Sequence, residues 1–216
     1  MLEDSYKHKG MRRALVKKIA NKGIEDPGVL EAINSVPRHF FLDKVFVEKA
    51  YQDIAFPIEE GQTISQPYTV AFQTQLLNVQ KHDKILEIGT GSGYQCCVLL
   101  EMGAKVFSIE YNQRLCEKAK KFLPKMGYHP RIFCGDGSKG LEMFAPFNKI
   151  IVTAGAPFVP EALKNQLEIG GVLVIPVGNS KTQKMLRITR ISENEFKEES
   201  KDHFSFVPLR GEYGWK

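Results

Sequence analysis

The sequence predicts an α/β fold in which helices flank a mostly parallel sheet, and three observations support this. Short runs rich in β-branched and aromatic residues recur between positions 84 and 178, with stretches that can form helices between most of them. Strands that alternate with helices form parallel sheets covered on both faces. A glycine-rich turn follows the first of these strands. The last two strand-like runs lie too close together for a crossover helix.

Two helices are predicted at the start of the chain. Between positions 7 and 22, apolar residues recur at helical spacing among basic ones. Asp26 and Pro27 then provide an N-cap and a first-turn proline for a second helix over residues 28–36. Pro37 ends that helix because proline disfavours the helical conformation of the residue before it.

A long irregular segment and a third helix connect this start to the main sheet. Residues 38–67 show no sustained periodicity, and loops of this length usually carry function. The third helix is predicted over residues 68–77. The five parallel strands are predicted over residues 84–89, 105–110, 131–136, 149–154 and 171–178. The helices predicted between them span residues 94–102, 113–126 and 160–167.

The end of the chain departs from this alternation. Residues 185–191 and 203–209 are strand-like, and only the charged segment 192–202 separates them, so an antiparallel hairpin is predicted. A chain of 216 residues can fold around one core, and we expect a single domain over residues 1–216. Its expected parts are the N-terminal helices with the loop, the α/β core and the hairpin, over residues 1–77, 78–180 and 181–216.

Composition and charge limit the partners that the protein can have. The net charge is +5, and much of the excess lies in one N-terminal stretch. A basic face can attract nucleic acid, but the solvated face of an amphipathic helix is the simpler interpretation, so no nucleic-acid partner is predicted. The longest apolar runs have the length of strands, and we expect a cytoplasmic monomer without membrane contact. The basic residues are Lys7, Lys9, Arg12, Arg13, Lys17, Lys18 and Lys22.

The four cysteines are predicted to be reduced thiols in the core. Cys96, Cys97, Cys116 and Cys134 form no CxxC pair, have no neighbouring histidine ligand and lack the pattern of a small disulfide-rich domain. Free cysteines behave as small buried apolar residues. No metal site is predicted.

The sharpest local signal is the glycine turn after the first strand of the sheet. Gly89, Gly91 and Gly93 alternate directly after a hydrophobic run and before a helical one. Such glycines let the backbone turn tightly and approach a ligand at the carboxyl edge of the sheet. The dinucleotide pattern would require a third glycine at position 94, where the chain has Tyr94.

Two carboxylates follow the next two strands. Glu110 lies 21 positions after Gly89, where an acid can accept both hydroxyls of a ribose. Asp136 stands between Gly135 and Gly137, close to where an adenine would lie, although a helix N-cap is an alternative role for it. This constellation, together with the terminal hairpin, is typical of Rossmann-like methyltransferases that use S-adenosylmethionine.

Two classes of nucleic-acid methyltransferase are disfavoured by the motifs that the chain lacks. The fourth strand ends in Thr153-Ala154-Gly155-Ala156-Pro157 instead of the Asp/Asn-Pro-Pro-Tyr segment of enzymes that methylate amino groups of bases. The sequence also contains no Pro-Cys nucleophile of the cytosine-C5 type. Base methylation therefore loses most of its support.

Six segments resemble the protein-L-isoaspartate methyltransferase family and occur in the family's order. The most specific is Thr63-Ile64-Ser65-Gln66-Pro67, which is similar to the family's active-site loop. The others lie at residues 36–41, 86–94, 150–157, 170–178 and 206–209. The resemblance implies methyl transfer from S-adenosylmethionine to the carboxylate of L-isoaspartyl residues in damaged proteins and peptides, which starts their repair.

The motifs and the resemblance together assign expected roles to individual residues. Ser65 is the implied catalytic residue, whose hydroxyl would orient the isoaspartyl carboxylate. The residues expected to bind the cofactor are Ile64, Glu87, Gly89, Thr90, Gly91, Gly93, Glu110, Tyr111, Asp136 and Gly137. The residues expected to bind the substrate are Thr63, Tyr68, Val207 and Pro208.

Two alternatives remain open from the sequence alone. A methyltransferase of this fold could act on a small molecule or on another protein carboxylate; activity on an isoaspartyl peptide but not on its aspartyl twin would separate these cases. A cofactor-binding scaffold or a nucleic-acid-binding module without enzymatic activity is suggested only by the basic N-terminal helix. Retention of labelled S-adenosylmethionine without methyl transfer would favour that second alternative.

Overall fold

A computed structural model describes residues 3–215 and divides them into helices and strands close to those predicted. The helices are α1 (Tyr6–Ala20), α2 (Pro27–Ser35), α3 (Pro67–Leu77), α4 (Tyr94–Glu101), α5 (Gln113–Phe122) and α6 (Glu161–Asn165). The strands are β1 (Phe56–Pro57), β2 (Thr63–Ile64), β3 (Lys84–Ile88), β4 (Lys105–Glu110), β5 (Arg131–Cys134), β6 (Phe147–Val152), β7 (Leu167–Gly178), β8 (Gln183–Arg190) and β9 (Phe196–Phe204). Short 3-10 turns span Arg38–Phe41, Lys44–Lys49, Glu59–Gly61, Leu123–Met126, Gly137–Lys139 and Glu142–Phe144.

Seven strands form the main sheet within the described part of the chain. Their order is β5-β4-β3-β6-β7-β8-β9, parallel from β5 to β7 and antiparallel for the last two pairs. The predicted α/β fold, with a mostly parallel sheet and a C-terminal antiparallel hairpin, is confirmed. The strand order reverses between β3 and β6, and ligands of such sheets bind outside the carboxyl ends of the strands at this point.

The two faces of the sheet are buried by different parts of the chain. On β3, Ile85 faces the side covered by α1 to α4, and Leu86 faces the side covered by α6. Both side chains are fully buried. Strands that are covered on both sides have near-continuous apolar runs, which explains why the sequence signal was clear for these strands.

The ends of several elements differ from the prediction for local reasons. Helix α5 ends at Phe122 and continues as a 3-10 turn that contains Pro124, whereas a helix to residue 126 was predicted. The last crossover helix is only five residues long, Glu161–Asn165. Strand β7 begins at Leu167, so it extends four residues further back than the predicted start at residue 171.

The position of the last strand was predicted wrongly. Strand β9 is Phe196–Phe204, and the segment 205–209 that was predicted as a strand forms an irregular stretch with an isolated bridge between Pro208 and Gly155. Strand β9 is the exposed edge of the sheet, and most of its residues are charged or polar. Charged edge strands prevent pairing with other chains, but they lack the apolar alternation on which strand prediction depends.

Two of the four cysteines are not reduced thiols. Cys116 on α5 and Cys134 at the end of β5 form a disulfide, with Cα atoms 5.6 Å apart. The prediction failed because the two residues are 18 positions apart and meet only when α5 packs against β5. Cys96 and Cys97 are free and buried, as expected.

The basic N-terminal residues are exposed, as expected for a solvated helix face, with the exception of Arg12. Arg12 is buried, and its guanidinium forms an ion pair with Asp4 at 2.9 Å. At the end of the stretch, Lys22 forms an ion pair with the buried Asp53 at 2.6 Å. Among the described helices, none is both long and apolar enough to cross a membrane.

Candidate functional site

The glycine turn after β3 is held against the end of β6. Gly89 and Gly91 have φ angles of +98° and +52°, which favour glycine because side chains disfavour this conformation. The hydroxyl of Thr153 donates to the carbonyl of Gly89 at 2.6 Å. A Cβ atom on Gly89 would lie 2.6 Å from that hydroxyl oxygen, so the close approach also requires glycine.

Glu110 fixes the other side of the same turn. Its Oε2 accepts a hydrogen bond from the backbone N–H of Gly91 at 2.7 Å, and its Oε1 accepts one from the N–H of Asn112 at 2.9 Å. The carboxylate is therefore held in one orientation at the carboxyl end of β4. Each carboxylate oxygen has a second lone-pair direction, so Glu110 can also accept hydroxyl groups of a ligand.

Beneath the turn lies a buried polar network centred on Glu87. Ser108 donates to Glu87 Oε2 at 2.6 Å, Cys96 donates to the same atom, and the hydroxyls of Ser108 and Thr90 lie 2.6 Å apart. Complete burial raises the pKa of Glu87 to about 7, although the hydrogen bonds from Cys96 and Ser108 oppose this shift. Glu87 is thus placed under the turn and not on the surface of the cleft.

The predicted active-site loop connects a small hairpin to α3. Strands β1 and β2 pair in antiparallel fashion, and Ser65 lies between β2 and Pro67, the first residue of α3. The guanidinium of Arg38 donates to the backbone carbonyl of Ser65 at 2.7 Å. This hydrogen bond fixes the loop backbone at Ser65, the residue whose hydroxyl was predicted to be catalytic.

Arg38 itself is fully buried next to the cleft. Its guanidinium lies over the ring of Tyr94, 4.9 Å from the ring centre. Burial lowers the pKa of Arg38 to about 10, and the nearby Tyr94 opposes this shift, so the side chain is charged at neutral pH. A buried charge is costly unless it is paired, and the carbonyl of Ser65 is one of the few groups that compensate it.

Surface ion pairs link the tip of the β1–β2 hairpin to α5. Glu59 contacts Lys118 at 2.8 Å, and Glu60 contacts Arg114 at 3.2 Å. These pairs are exposed and each contributes little to stability. They nevertheless place the hairpin along one side of the cleft.

The C-terminal segment closes the opposite side. Val207 and Leu209 flank Gly155 through two backbone hydrogen bonds of 2.8 Å. Further on, Asp136 Oδ2 accepts from the N–H of Glu212 at 2.8 Å, and its Oδ1 accepts from the N–H and hydroxyl of Ser138. Although partial burial opposes the shift, these hydrogen bonds lower the pKa of Asp136. The Asp136 carboxylate therefore helps to hold the C-terminal segment in place.

A cleft of about 460 Å³ lies between the glycine turn, the active-site loop and the C-terminal segment. Its volume is in the range of small-molecule sites. Its lining combines backbone of the glycine turn, the Glu110 carboxylate and several hydroxyls, a set that suits a ligand with ribose hydroxyls and a polar chain. The predicted residues that line the cleft are Thr63, Ile64, Ser65, Gly89, Thr90, Gly91, Glu110, Tyr111, Gly137, Val207 and Pro208.

Four predicted site residues lie outside the lining, each for an identifiable reason. Glu87 lies beneath the turn, and Asp136 anchors the C-terminal segment, as described above. Gly93 is the N-cap of α4 and faces Leu123, whose Cδ2 atom would be 2.8 Å from an added Cβ. Tyr68 lies on the outer surface beside Phe72, with their ring centres 5.9 Å apart.

Some lining residues were not predicted. Ser92 and Asn112 directly follow predicted site residues, and this position in the sequence could have identified them. Thr153 lies at the end of the predicted fourth strand, which also ends at this edge of the sheet. Leu209 and Arg210 reach the cleft only because the chain end folds back onto Gly155, and no local pattern indicates this.

Comparison with known proteins gives a consistent family match. The model of the family described as protein-L-isoaspartate(D-aspartate) O-methyltransferase (PCMT) matches residues 10–214. A protein-L-isoaspartate O-methyltransferase from Cytophaga hutchinsonii is 61% identical over 214 residues, which is 99% of this chain and 97% of the relative. One from Dictyoglomus thermophilum is 47% identical over 212 residues, 98% of this chain and 95% of the relative.

Two solved structures extend the comparison to the fold. A protein-L-isoaspartate O-methyltransferase superposes with a TM-score of 0.85 at 29% identity, covering 94% of this chain and 67% of that one. A PCMT from Plasmodium falciparum, crystallised in complex with S-adenosyl-L-homocysteine, superposes with a TM-score of 0.79 at 25% identity. This second match covers 92% of this chain and 98% of the Plasmodium chain.

Proposed function

The chain belongs to the protein-L-isoaspartate(D-aspartate) O-methyltransferase family, and on this premise we propose how the residues of its cleft carry out the family's reaction. The enzyme transfers a methyl group from S-adenosylmethionine to the carboxylate of L-isoaspartyl residues. This transfer begins the repair of damaged proteins and peptides. The proposed residue roles rest on one observation: the Glu110 carboxylate and the Ser65 loop line the same cleft.

We propose that the glycine turn and Glu110 hold the cofactor. The turn offers backbone atoms of Gly89 and Gly91 at the cleft surface, and Glu110 accepts the ribose hydroxyls with lone pairs that Gly91 and Asn112 leave free. Gly137 lines the part of the cleft beyond β5, where the base would lie. When bound, S-adenosylmethionine supplies a methyl group that is activated by its sulfonium.

Ser65 is the proposed catalytic residue, and its task is orientation. A carboxylate has a reference pKa of roughly 4 and is an anionic nucleophile at neutral pH, so no general base is needed. The hydroxyl of Ser65 would donate a hydrogen bond to one carboxylate oxygen and leave the other directed at the methyl group. The rate then depends on alignment, and the hydrogen bond from Arg38 to the Ser65 carbonyl supports that alignment.

The proposed substrate contacts lie on both sides of the opening. Thr63 belongs to the same loop as Ser65, and Val207 and Pro208 belong to the opposite C-terminal segment. Apolar contact from that segment would exclude water from the reacting groups. The product is a neutral ester, so a site that favours an anion would release it.

We also propose that the protein is a single-domain, cytoplasmic monomer, as the sequence predicted. Residues 1–216 would act as one domain, and Ile19 of α1, Ile85 of β3 and Val172 of β7 support this because they share one core. We propose a monomer, and the molar mass in solution would test it. A cytoplasmic location rests on the sequence pattern alone, and cell fractionation would test it.

Matched peptides test the proposed function. Two peptides of identical composition, one with an isoaspartyl and one with an aspartyl linkage, would be incubated with the enzyme and labelled S-adenosylmethionine. We expect methyl transfer to the isoaspartyl peptide alone. Equal transfer to both peptides, or transfer to neither, would refute the assignment of this cleft.

A further inference from the structure

Four aromatic side chains form a row that begins and ends near segments lining the cleft. The row consists of Tyr68, Phe72, Phe204 and Phe206, each partly exposed. Consecutive ring centres are 5.9, 5.0 and 6.3 Å apart. Tyr68 and Phe72 lie one turn apart on α3, whereas Phe204 and Phe206 lie at and just beyond the end of β9.

The two ends of the row lie close in sequence to residues on the two sides of the cleft. Tyr68 follows Ser65 by three positions, and Phe206 directly precedes Val207; both Ser65 and Val207 line the cleft. A peptide whose isoaspartyl side chain enters the cleft must leave its backbone and its flanking residues outside. The four rings pack against the core and stay partly exposed, so they offer apolar surface to flanking residues near both segments.

The two ends of the row are fixed in place by buried groups. The N–H of Tyr68 donates to the carboxylate of the buried Asp53 at 2.8 Å. The N–H of Phe206 donates to the side chain of Gln183 at 2.9 Å, and Gln183 is 1% exposed. The rings are therefore held on an ordered backbone, which reduces the entropy lost when a peptide binds.

We propose that the aromatic row is a subsite for apolar side chains that flank the isoaspartyl residue, so that the enzyme prefers damaged sites with such neighbours. Alternate side chains of an extended peptide point to the same side at intervals of about 6.6 Å, and the ring centres at the two ends of the row are 5.9 and 6.3 Å apart. Partly exposed rings gain contact when an apolar group covers them. The inference rests on the proposed function and concerns the selection of substrates.

Three isoaspartyl peptides of equal length and charge test this subsite. One has serine at the flanking positions, one has phenylalanine at two alternate positions before the isoaspartyl residue, and one has them after it. For the wild-type enzyme we expect kcat/KM for one of the phenylalanine peptides to exceed that for the serine peptide about tenfold or more, because burying one such ring is worth at least that factor. Phe72→Ala and Phe204→Ala should each reduce this ratio to about twofold or less.

The ratio of two kcat/KM values from one preparation does not depend on how much of the enzyme is folded. Tyr6→Ala is a matched control because Tyr6 is a highly exposed aromatic residue outside the row, and the ratio should stay as in the wild type. Equal kcat/KM values for all three peptides, or a preference that survives both phenylalanine substitutions, would overturn the subsite. Failure to methylate any isoaspartyl peptide would instead refute the proposed function.

Discussion

The buried guanidinium of Arg38 donates a hydrogen bond of 2.7 Å to the backbone carbonyl of Ser65. Arg38 precedes Ser65 by 27 positions, and the contact joins the end of the N-terminal helical region to the loop that faces the cleft. The hydroxyl and the carbonyl of Ser65 would thus have separate tasks. The carbonyl anchors the loop, and the hydroxyl is free to contact a substrate.

Replacing Arg38 should therefore impair both stability and turnover. Arg38→Met removes the donor to Ser65, and hydrogen bonds to charged groups contribute about 1.5–3 kcal/mol. We expect a lower free energy of unfolding in urea and a lower kcat for an isoaspartyl peptide. Arg38→Lys, which keeps a charged donor, should retain more of both. A kcat equal to that of the wild type in Arg38→Met would show that the anchor has no part in the reaction.

Glu110→Ala should weaken cofactor binding. The carboxylate is proposed to accept ribose hydroxyls, and losing such hydrogen bonds costs about 1–3 kcal/mol, or roughly 5- to 150-fold in Kd. Calorimetric titration with S-adenosylhomocysteine measures this directly. The exposed carboxylate of Glu142 provides a control, since Glu142→Ala should bind as the wild type does. Unchanged affinity in Glu110→Ala would mean that this carboxylate does not contact the ligand.

Glu87 should make stability depend on pH. Burial raises its pKa from 4.5 to about 7, so between these values the folded protein keeps a proton that the unfolded chain releases. The free energy of unfolding should fall as the pH rises through this window, by about 2–3 kcal/mol between pH 5 and pH 8. Urea unfolding at pH 5 and pH 8 measures the change. Glu87→Gln should remove this pH dependence, whereas the control Glu142→Gln should keep it. Identical pH profiles for the wild type and Glu87→Gln would show that Glu87 is not its source.

The disulfide between Cys116 and Cys134 should stabilise the fold. A crosslink between residues 18 positions apart restricts the unfolded chain and contributes about 3 kcal/mol. Cys134→Ser should lower the free energy of unfolding by this amount, and a dithiol reductant should lower that of the wild type to a similar level. The reductant should have no effect on Cys134→Ser, because Cys96 and Cys97 are free. If it destabilised the variant as much as the wild type, the effect would not arise from this disulfide.

The sequence was most informative where burial imposes a repeating pattern. Strands such as β3 and β6 lie in the centre of the sheet and are apolar on both faces, so their positions could be predicted. The glycine turn could be predicted because its backbone conformation restricts residue type at Gly89 and Gly91. Strand β9 could not, because an exposed, charged edge strand carries no such pattern.

Contacts between distant segments account for most of the remaining differences. Asp136 was expected near the cofactor, and its carboxylate also accepts the N–H of Glu212, which follows it by 76 positions, a contact that no local pattern indicates. Cys116 and Cys134 meet only through the packing of α5 on β5. Glu87 was predicted to bind the cofactor, whereas its side chain is buried beneath the turn, where it accepts hydrogen bonds from Cys96 and Ser108.

Ser65 is the residue on which the account depends most, and Ser65→Ala tests it most directly. The measurement pairs two quantities for this variant: kcat for methyl transfer to an isoaspartyl peptide, and the Kd for S-adenosylhomocysteine. Ser192→Ala, a substitution of an exposed serine in the turn between β8 and β9, serves as the control. We predict that Ser65→Ala lowers kcat at least about tenfold, as expected for the loss of one hydrogen bond to a charged group, with Kd unchanged. A variant that turns over as fast as the wild type would contradict the proposed role of the Ser65 hydroxyl.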